Sequence, residues 1–165
     1  MKIDIRSITE SGLLIAMAAV LYLLSPGQLP YGGKISLHML PLFLLTFRRG
    51  PNAGIIAGGI FGVIVLLLDP WFVHPVQIIM DYPLPYMCVG CAGYFSANIR
   101  LGIIIGGVGG FASHFLSGII FFSAFAPEGM PIWEYSLLYN ASYILQVILS
   151  VLLIPTILKK LARIA

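Results

Sequence analysis

The stretch RRGPNAGIIAGGIFGVIVLLLD, residues 48–69, sets two arginines and a Gly-Pro break ahead of an uncharged apolar run that closes at Asp69. Roughly 20 apolar residues carry a helix across a bilayer, and Pro51–Leu68 comes close to that length. Backbone groups in hydrocarbon must be satisfied within their own segment, so the run reads as a membrane-spanning helix. The rest of the chain agrees. Its 165 residues are 59% hydrophobic and 9% charged, with a mean hydropathy of +1.01, whereas a soluble domain carries about 25% charged residues. Such a chain could not cover its own surface in water. Membrane spans consume nearly all of it and leave no room for a soluble catalytic domain. The strand alternation of an outer-membrane barrel is absent.

The expected fold is an all-α integral membrane protein, a six-transmembrane-helix bundle forming a single membrane domain over residues 1–165. The spans fall at about 8–24, 36–47, 51–68, 76–95, 101–124 and 133–161. The second is short and holds Pro41, so it is expected to tilt or to be shielded by its neighbours. Basic residues then fall in alternate connections. Lys2 and Arg6 precede the first span, Arg48 and Arg49 follow the second, Arg100 follows the fourth, and Lys159, Lys160 and Arg163 close the chain. The positive-inside rule puts all of these, and both termini, in the cytoplasm. Lys34 is left alone outside. The net charge of +3 therefore reads as topology, and no nucleic-acid partner is expected. The first apolar run has no small-residue cleavage site and reads as a retained span. The expectation is a multi-pass protein of a prokaryotic cell (plasma) membrane, with the lipid bilayer as its surroundings.

The outer connections hold Asp69, Glu128 and Glu134 with Trp71, His74 and Trp133. A mildly acidic, aromatic rim suits capture of a cation, but aromatic residues also belong at any membrane interface. Gly54, Gly58 and Gly62 recur every four residues, as do Gly102, Gly106 and Gly110. Small residues at that spacing allow close helix packing, within the chain or against a partner subunit. Cys88 and Cys91 form a CxxC, but two thiols do not complete a zinc shell. They read as small packing residues, and no metal or cofactor is expected.

The polar candidates begin with MDYPLPY, residues 80–86, which interrupts apolar sequence on both sides. A carboxylate inside a span costs at least a few kcal/mol unless a cavity or a partner compensates it. Asp81 lies one turn after Gln77, and Pro83 and Pro85 withhold the donors that would satisfy the carbonyls of Ile79 and Asp81. The arrangement resembles one wall of a polar pocket; the alternative is a structural hydrogen bond from Asp81 to a neighbouring helix. His114, Gly118 and Phe122 follow at intervals of four and share a helix face. Gly118 would leave a hollow between imidazole and ring, although a lone histidine on an apolar helix can equally be a satisfied core residue. The last span opens WEYSLLYNASY. Trp133 and Asn140 share a face if both are helical, whereas Tyr135 points elsewhere, so a pocket using Tyr135 and Asn140 must lie near the helix start. Tyr139 and Tyr143 read as packing residues.

One carboxylate, an imidazole, an amide, phenols and aromatic faces suit a flat, cationic, hydrogen-bonding heterocycle. Each aromatic face attracts a cation by about 0.5–2 kcal/mol, and a carboxylate both pairs with it and accepts amino hydrogens. No GxxxxGK[ST] occurs, so the chain has no phosphate-binding loop for ATP. HExxH and GxSxG are also absent, and the halves show no clear repeat.

Read together, FRRGPNAGIIAGGIFG, QIIMDYPLPYMCVGCAG, HFLSGIIFF and YSLLYNASY, in that order, resemble the ThiT family. Members are thiamine-specific substrate-binding subunits of energy-coupling-factor (ECF) transporters. The resemblance covers nearly the whole chain and implies that Asp81, His114, Tyr135 and Asn140 contact thiamine. Tyr82, the partner of Asp81 in the acid-Tyr pair, belongs to the same expected set with Gly118. Some family members have Trp where this chain has Phe61 and Phe122, and Glu where it has Asp81; Trp71 and Trp133 could supply part of that aromatic surface. The small-residue face that members carry on the first span is present loosely, as Ala16, Ala18 and Ala19. The implied function is high-affinity capture of thiamine outside. Delivery would follow through an ECF transmembrane coupling subunit and two ATPase subunits, with no enzymatic activity in this chain. Two other classes remain at this point: a binding subunit for another vitamin or a thiamine precursor, and a membrane-embedded enzyme using Asp81 and His114 as an acid/base pair.

Overall fold

The computed structural model describes residues 4–29 and 31–163; Lys2 lies outside the described residues. Helix α1 (Ile5–Leu23) starts where the Asp4 carboxylate accepts a hydrogen bond from the Arg6 backbone N–H at 3.3 Å, capping a free donor of the first turn. It buries a stripe of Leu14, Ile15, Ala18 and Tyr22 and turns Leu13, Val20 and Leu23 outward. A tight antiparallel ribbon follows, β1 (Gly27–Gln28) against β2 (Lys34–Ile35). Next come α2 (Met39–Arg49) and α3 (Pro51–Leu68). The break between them is Gly50 at φ +87°, a conformation that favours glycine, followed by Pro51 at the first helical position, where a missing N–H costs nothing.

The remaining helices are α4 (Pro75–Asp81), α5 (Pro83–Cys91), α6 (Ile99–Phe121), α7 (Ile132–Tyr139) and α8 (Ala141–Leu161). The molecule is mostly helical. Among the described residues, α1, α3, α6 and α8 are long and apolar enough to cross a membrane. Their outward side chains include Ile56, Val63, Val108, Ile120, Ile148 and Leu152, an apolar surface far beyond what a water-soluble monomer presents.

Three features differ from the sequence reading. The ribbon adds a small β element to an expected all-α chain. The segment expected as one helix over 76–95 is two, because the chain leaves the helical path at Tyr82 (φ −112°, ψ −77°). Pro83 and Pro85 therefore sit in the first turn of a new helix, where backbone donors have no intrahelical acceptor anyway. They start α5 rather than kink a continuous span. The segment expected over 133–161 is likewise split, at Asn140.

The glycine repeats serve packing within the chain. A Cβ on Gly54 would lie 3.0 Å from the Gly90 Cα, and one on Gly62 would lie 2.6 Å from the Pro83 Cα. On the other side, a Cβ on Gly106 would meet the Cys88 carbonyl at 2.8 Å and one on Gly110 the Pro85 carbonyl at 2.7 Å. The glycine faces of α3 and α6 thus grip α5 backbone to backbone, and this fixes the DYPLPY segment at the centre of the bundle. At one end of the bundle Glu10 forms ion pairs with both Arg48 and Arg49, and the Arg49 Nη1 donates to the Ser7 Oγ at 2.9 Å. The opposite end holds the cavity.

Candidate ligand-binding cavity

The cavity has a volume of about 440 Å³, within the range of small-molecule sites. Its walls come from every helix but α2, whose preceding residue His38 contributes instead, together with the ribbon.

Asp81, the last residue of α4, is its central acid. Gln77, one turn earlier and 1% exposed, donates from Nε2 to the Asp81 Oδ2 at 2.7 Å. The Gln77 Oε1 in turn accepts from the Val73 backbone N–H at 3.2 Å. The carboxylate is thereby oriented by a side chain that is itself anchored to the connection before α4. On the other flank the His114 Nδ1 lies 3.5 Å from the Asp81 Oδ1, and both side chains are 17% exposed. The break at Tyr82 frees the Met80 carbonyl, which accepts from the Ser113 hydroxyl at 2.6 Å. This bond ties the end of α4 to α6, one residue away from His114.

Of the residues singled out from sequence, Asp81, Tyr82, His114, Gly118 and Phe122 all line the cavity, as do Trp71, Tyr135 and Asn140. Tyr82 does so with its hydroxyl turned outward: it accepts from the Trp71 N–H at 2.8 Å and donates to the Asp69 carbonyl at 3.0 Å. It holds the rim. Trp71 in turn meets Phe125 edge-on, ring centres 6.0 Å apart, and His74 stacks on Phe121 at 5.1 Å. Gly118 lines the cavity with His114 and Phe122 and also serves packing. A Cβ there would collide with the Ser136 side chain, so the glycine lets α7 close onto α6, where the Ser136 hydroxyl donates to the Phe115 carbonyl at 2.8 Å.

Tyr135, near the start of α7, and Asn140, its C-cap, both line the cavity. The Asn140 Nδ2 donates to the Ser136 carbonyl at 2.9 Å. Trp133 is not brought to the cavity and is 54% exposed. Phe61 is also off the surface of the cavity: fully buried, it stacks on His38 at 5.3 Å and meets Tyr86 edge-on at 4.8 Å. It backs the wall.

Several lining residues were not expected at the site from sequence, and Asp69 was expected only as part of an acidic outer rim. Tyr22, Lys34 and Asp69 form one group: the Lys34 Nζ lies 2.6 Å from the Asp69 Oδ2, and the Tyr22 hydroxyl donates to the same oxygen at 3.0 Å. His38, Tyr86, His114 and Tyr143 form an aromatic collar, successive ring centres 5.6, 6.3 and 5.3 Å apart. Tyr86 and Tyr143 were visible as phenols in apolar helices, but no spacing rule pairs them across three helices.

A helical bundle with an apolar outer surface and a polar, aromatic-walled cavity at one end is the architecture of a small-solute membrane transport protein. The chain belongs to the thiamine transporter protein family, whose model matches residues 8–165. It is 32% identical over 158 residues to the thiamine transporter ThiT of Bacillus subtilis (strain 168), covering 86% of this chain and 80% of that one. The thiamine transporter ThiT of Lacticaseibacillus paracasei is 28% identical over 146 residues, covering 76% and 73%. The solved structure of ThiT from Listeria monocytogenes superposes with a TM-score of 0.81 over 93% of both chains, at 26% identity. The role is transport, and the chain is not an enzyme.

Proposed function

We propose that this chain is the thiamine-capturing subunit of a vitamin uptake system of the prokaryotic plasma membrane. The observation that carries the reading is Asp81, a carboxylate held by Gln77 and flanked by His114 inside an aromatic-walled cavity. Thiamine joins a permanently cationic thiazolium to an aminopyrimidine. Asp81 supplies the opposite charge and an acceptor for amino hydrogens, Tyr135 and His114 supply faces and edges for the rings, and Asn140 supplies a further hydrogen-bonding group.

In this reading the single membrane domain crosses the bilayer six times, with α4 and α5 together, and α7 and α8 together, each forming one crossing. Both termini and the Arg48–Arg49 turn face the cytoplasm, which the clustering of basic residues in alternate connections supports. The cavity then faces outward. The chain carries no phosphate-binding loop, so energy comes from elsewhere: an ECF transmembrane coupling subunit with two ATPase subunits, as the family resemblance implies. Titration of the purified chain with thiamine, followed by tryptophan fluorescence, tests the reading. Trp71 at the rim should report saturable binding, with riboflavin giving none. Absence of thiamine binding by folded protein would overturn it.

A further inference from the structure

Tyr86 is 95% buried by its surroundings, with 5% exposed, and lines the cavity. Its ring is fixed by the edge contact to Phe61 at 4.8 Å and by the flanking rings of His38 and His114. Its hydroxyl makes no hydrogen bond among the described residues, unlike that of Tyr82 one turn earlier, which is satisfied by the rim backbone. The ring is buried, but the hydroxyl oxygen is not enclosed as an orphan; it opens to the cavity, and tyrosine hydroxyls in such places normally find a partner.

The polar groups around it are short of donors. Asp81 is an acceptor. The Ser36 hydroxyl donates to the Leu21 carbonyl at 2.9 Å, so at its 3.0 Å contact with His38 the Nδ1 must be the donor. That leaves the His38 Nε2 a bare acceptor, and it has no partner. The Gln146 Oε1, on another wall, is also an unpartnered acceptor. Tyr86 thus offers the floor a hydroxyl hydrogen that the resting site leaves unused.

We propose that Tyr86 is a specificity-determining ligand contact: its hydroxyl donates to an acceptor nitrogen of the bound heterocycle, beside the amino group taken by Asp81. An amino group next to a ring nitrogen pairs a donor with an acceptor, and a carboxylate with a phenol on one helix–break–helix segment complements that edge. This inference rests on the thiamine reading and names the part of thiamine that the cavity floor recognises.

The test uses purified full-length wild type and Tyr86→Phe, titrated with thiamine and with the analogue whose pyrimidine nitrogen next to the amino-bearing carbon is replaced by C–H. Loss of one neutral hydrogen bond should weaken thiamine binding about three- to tenfold in Tyr86→Phe. Wild type should lose a similar factor with the analogue, and Tyr86→Phe should bind thiamine and analogue alike. If wild type binds thiamine and Tyr86→Phe binds it equally well, the contact does not exist. A variant that is less heat-stable but unchanged in affinity makes the hydroxyl structural and also overturns the inference. Should the variant fail to fold, wild type alone decides, because equal affinity for thiamine and analogue removes the acceptor nitrogen from recognition. Wild type that binds neither ligand overturns the thiamine reading itself, a distinct outcome.

Discussion

The Lys34 ammonium lies 2.6 Å from the Asp69 carboxylate, which ties the ribbon between α1 and α2 to the segment that follows α3 at the mouth of the cavity. The same lysine sits 4.4 Å over the centre of the Tyr22 ring, and Tyr22 itself donates to Asp69. One acid thus gathers three chain segments, and through Tyr82, which bonds the Asp69 carbonyl, a fourth.

This pair gives a pH prediction. The Lys34 ammonium hydrogen-bonded to Asp69 holds its carboxyl below the usual carboxylate range, against the opposing push of burial. A group whose folded value is depressed adds stability above its ordinary value of about 3.9, and loses it as pH falls through the lower folded value. The pair is partly exposed, so the contribution is a few tenths to about 1 kcal/mol. Thermal unfolding of wild type and Asp69→Asn in detergent should show a small, constant difference from pH 7 to pH 5 that shrinks below about pH 4. A difference that vanishes already at pH 6 would contradict the assignment.

Gln77 orients Asp81 and is held in turn by Val73. Gln77→Ala should leave the fold intact and weaken thiamine binding by a factor of about three to ten, the worth of one side-chain hydrogen bond. Calorimetric titration of both proteins measures this, and equal affinities would remove Gln77 from the site.

Gly118→Ala places a methyl group against the Ser136 side chain. Overpacking of this kind costs about 1–3 kcal/mol. Because α7 carries Tyr135, the same change should lower both melting temperature and thiamine affinity. A stable variant with unaltered affinity would show that α6 and α7 need not close so tightly.

The topology is tested by accessibility. Cysteines introduced at Arg100 and Lys160 should react only with reagents that reach the cytoplasm, and those at His74 and Glu128 should react from outside. Labelling of position 100 by an impermeant reagent in intact cells would break the six-crossing arrangement.

How far the sequence could be read follows from which signals are local. The helix formed by Pro51–Leu68 was legible because its run is apolar and bounded by Gly50-Pro51 and Asp69. The prolines at 83 and 85 marked the break beside Asp81, although not that the chain restarts as a separate helix. The break at Asn140 left no such mark, having neither proline nor glycine beside it. The ribbon was invisible because two-residue strands carry no alternation. Tyr22, His38 and Tyr86 are single polar residues in apolar runs, and only the packing of α1, the start of α2 and α5 brings them together. Phe61 and Trp133 show the converse. Aromatic identity marked both, but Phe61 supports the wall from behind and Trp133 stands on the exposed side of α7.

The central claim is that Asp81 recognises the ligand rather than merely bonding Gln77 and His114. Asp81→Asn keeps the shape of the side chain, removes its charge and turns one acceptor into a donor. Losing a hydrogen bond to a charged group costs about 1.5–3 kcal/mol, which is roughly a ten- to hundredfold loss of affinity. The measurement is a thiamine titration of wild type and Asp81→Asn, each first shown to be folded and monodisperse in detergent. The account predicts a loss of that size; unchanged affinity would make Asp81 a structural residue and contradict it.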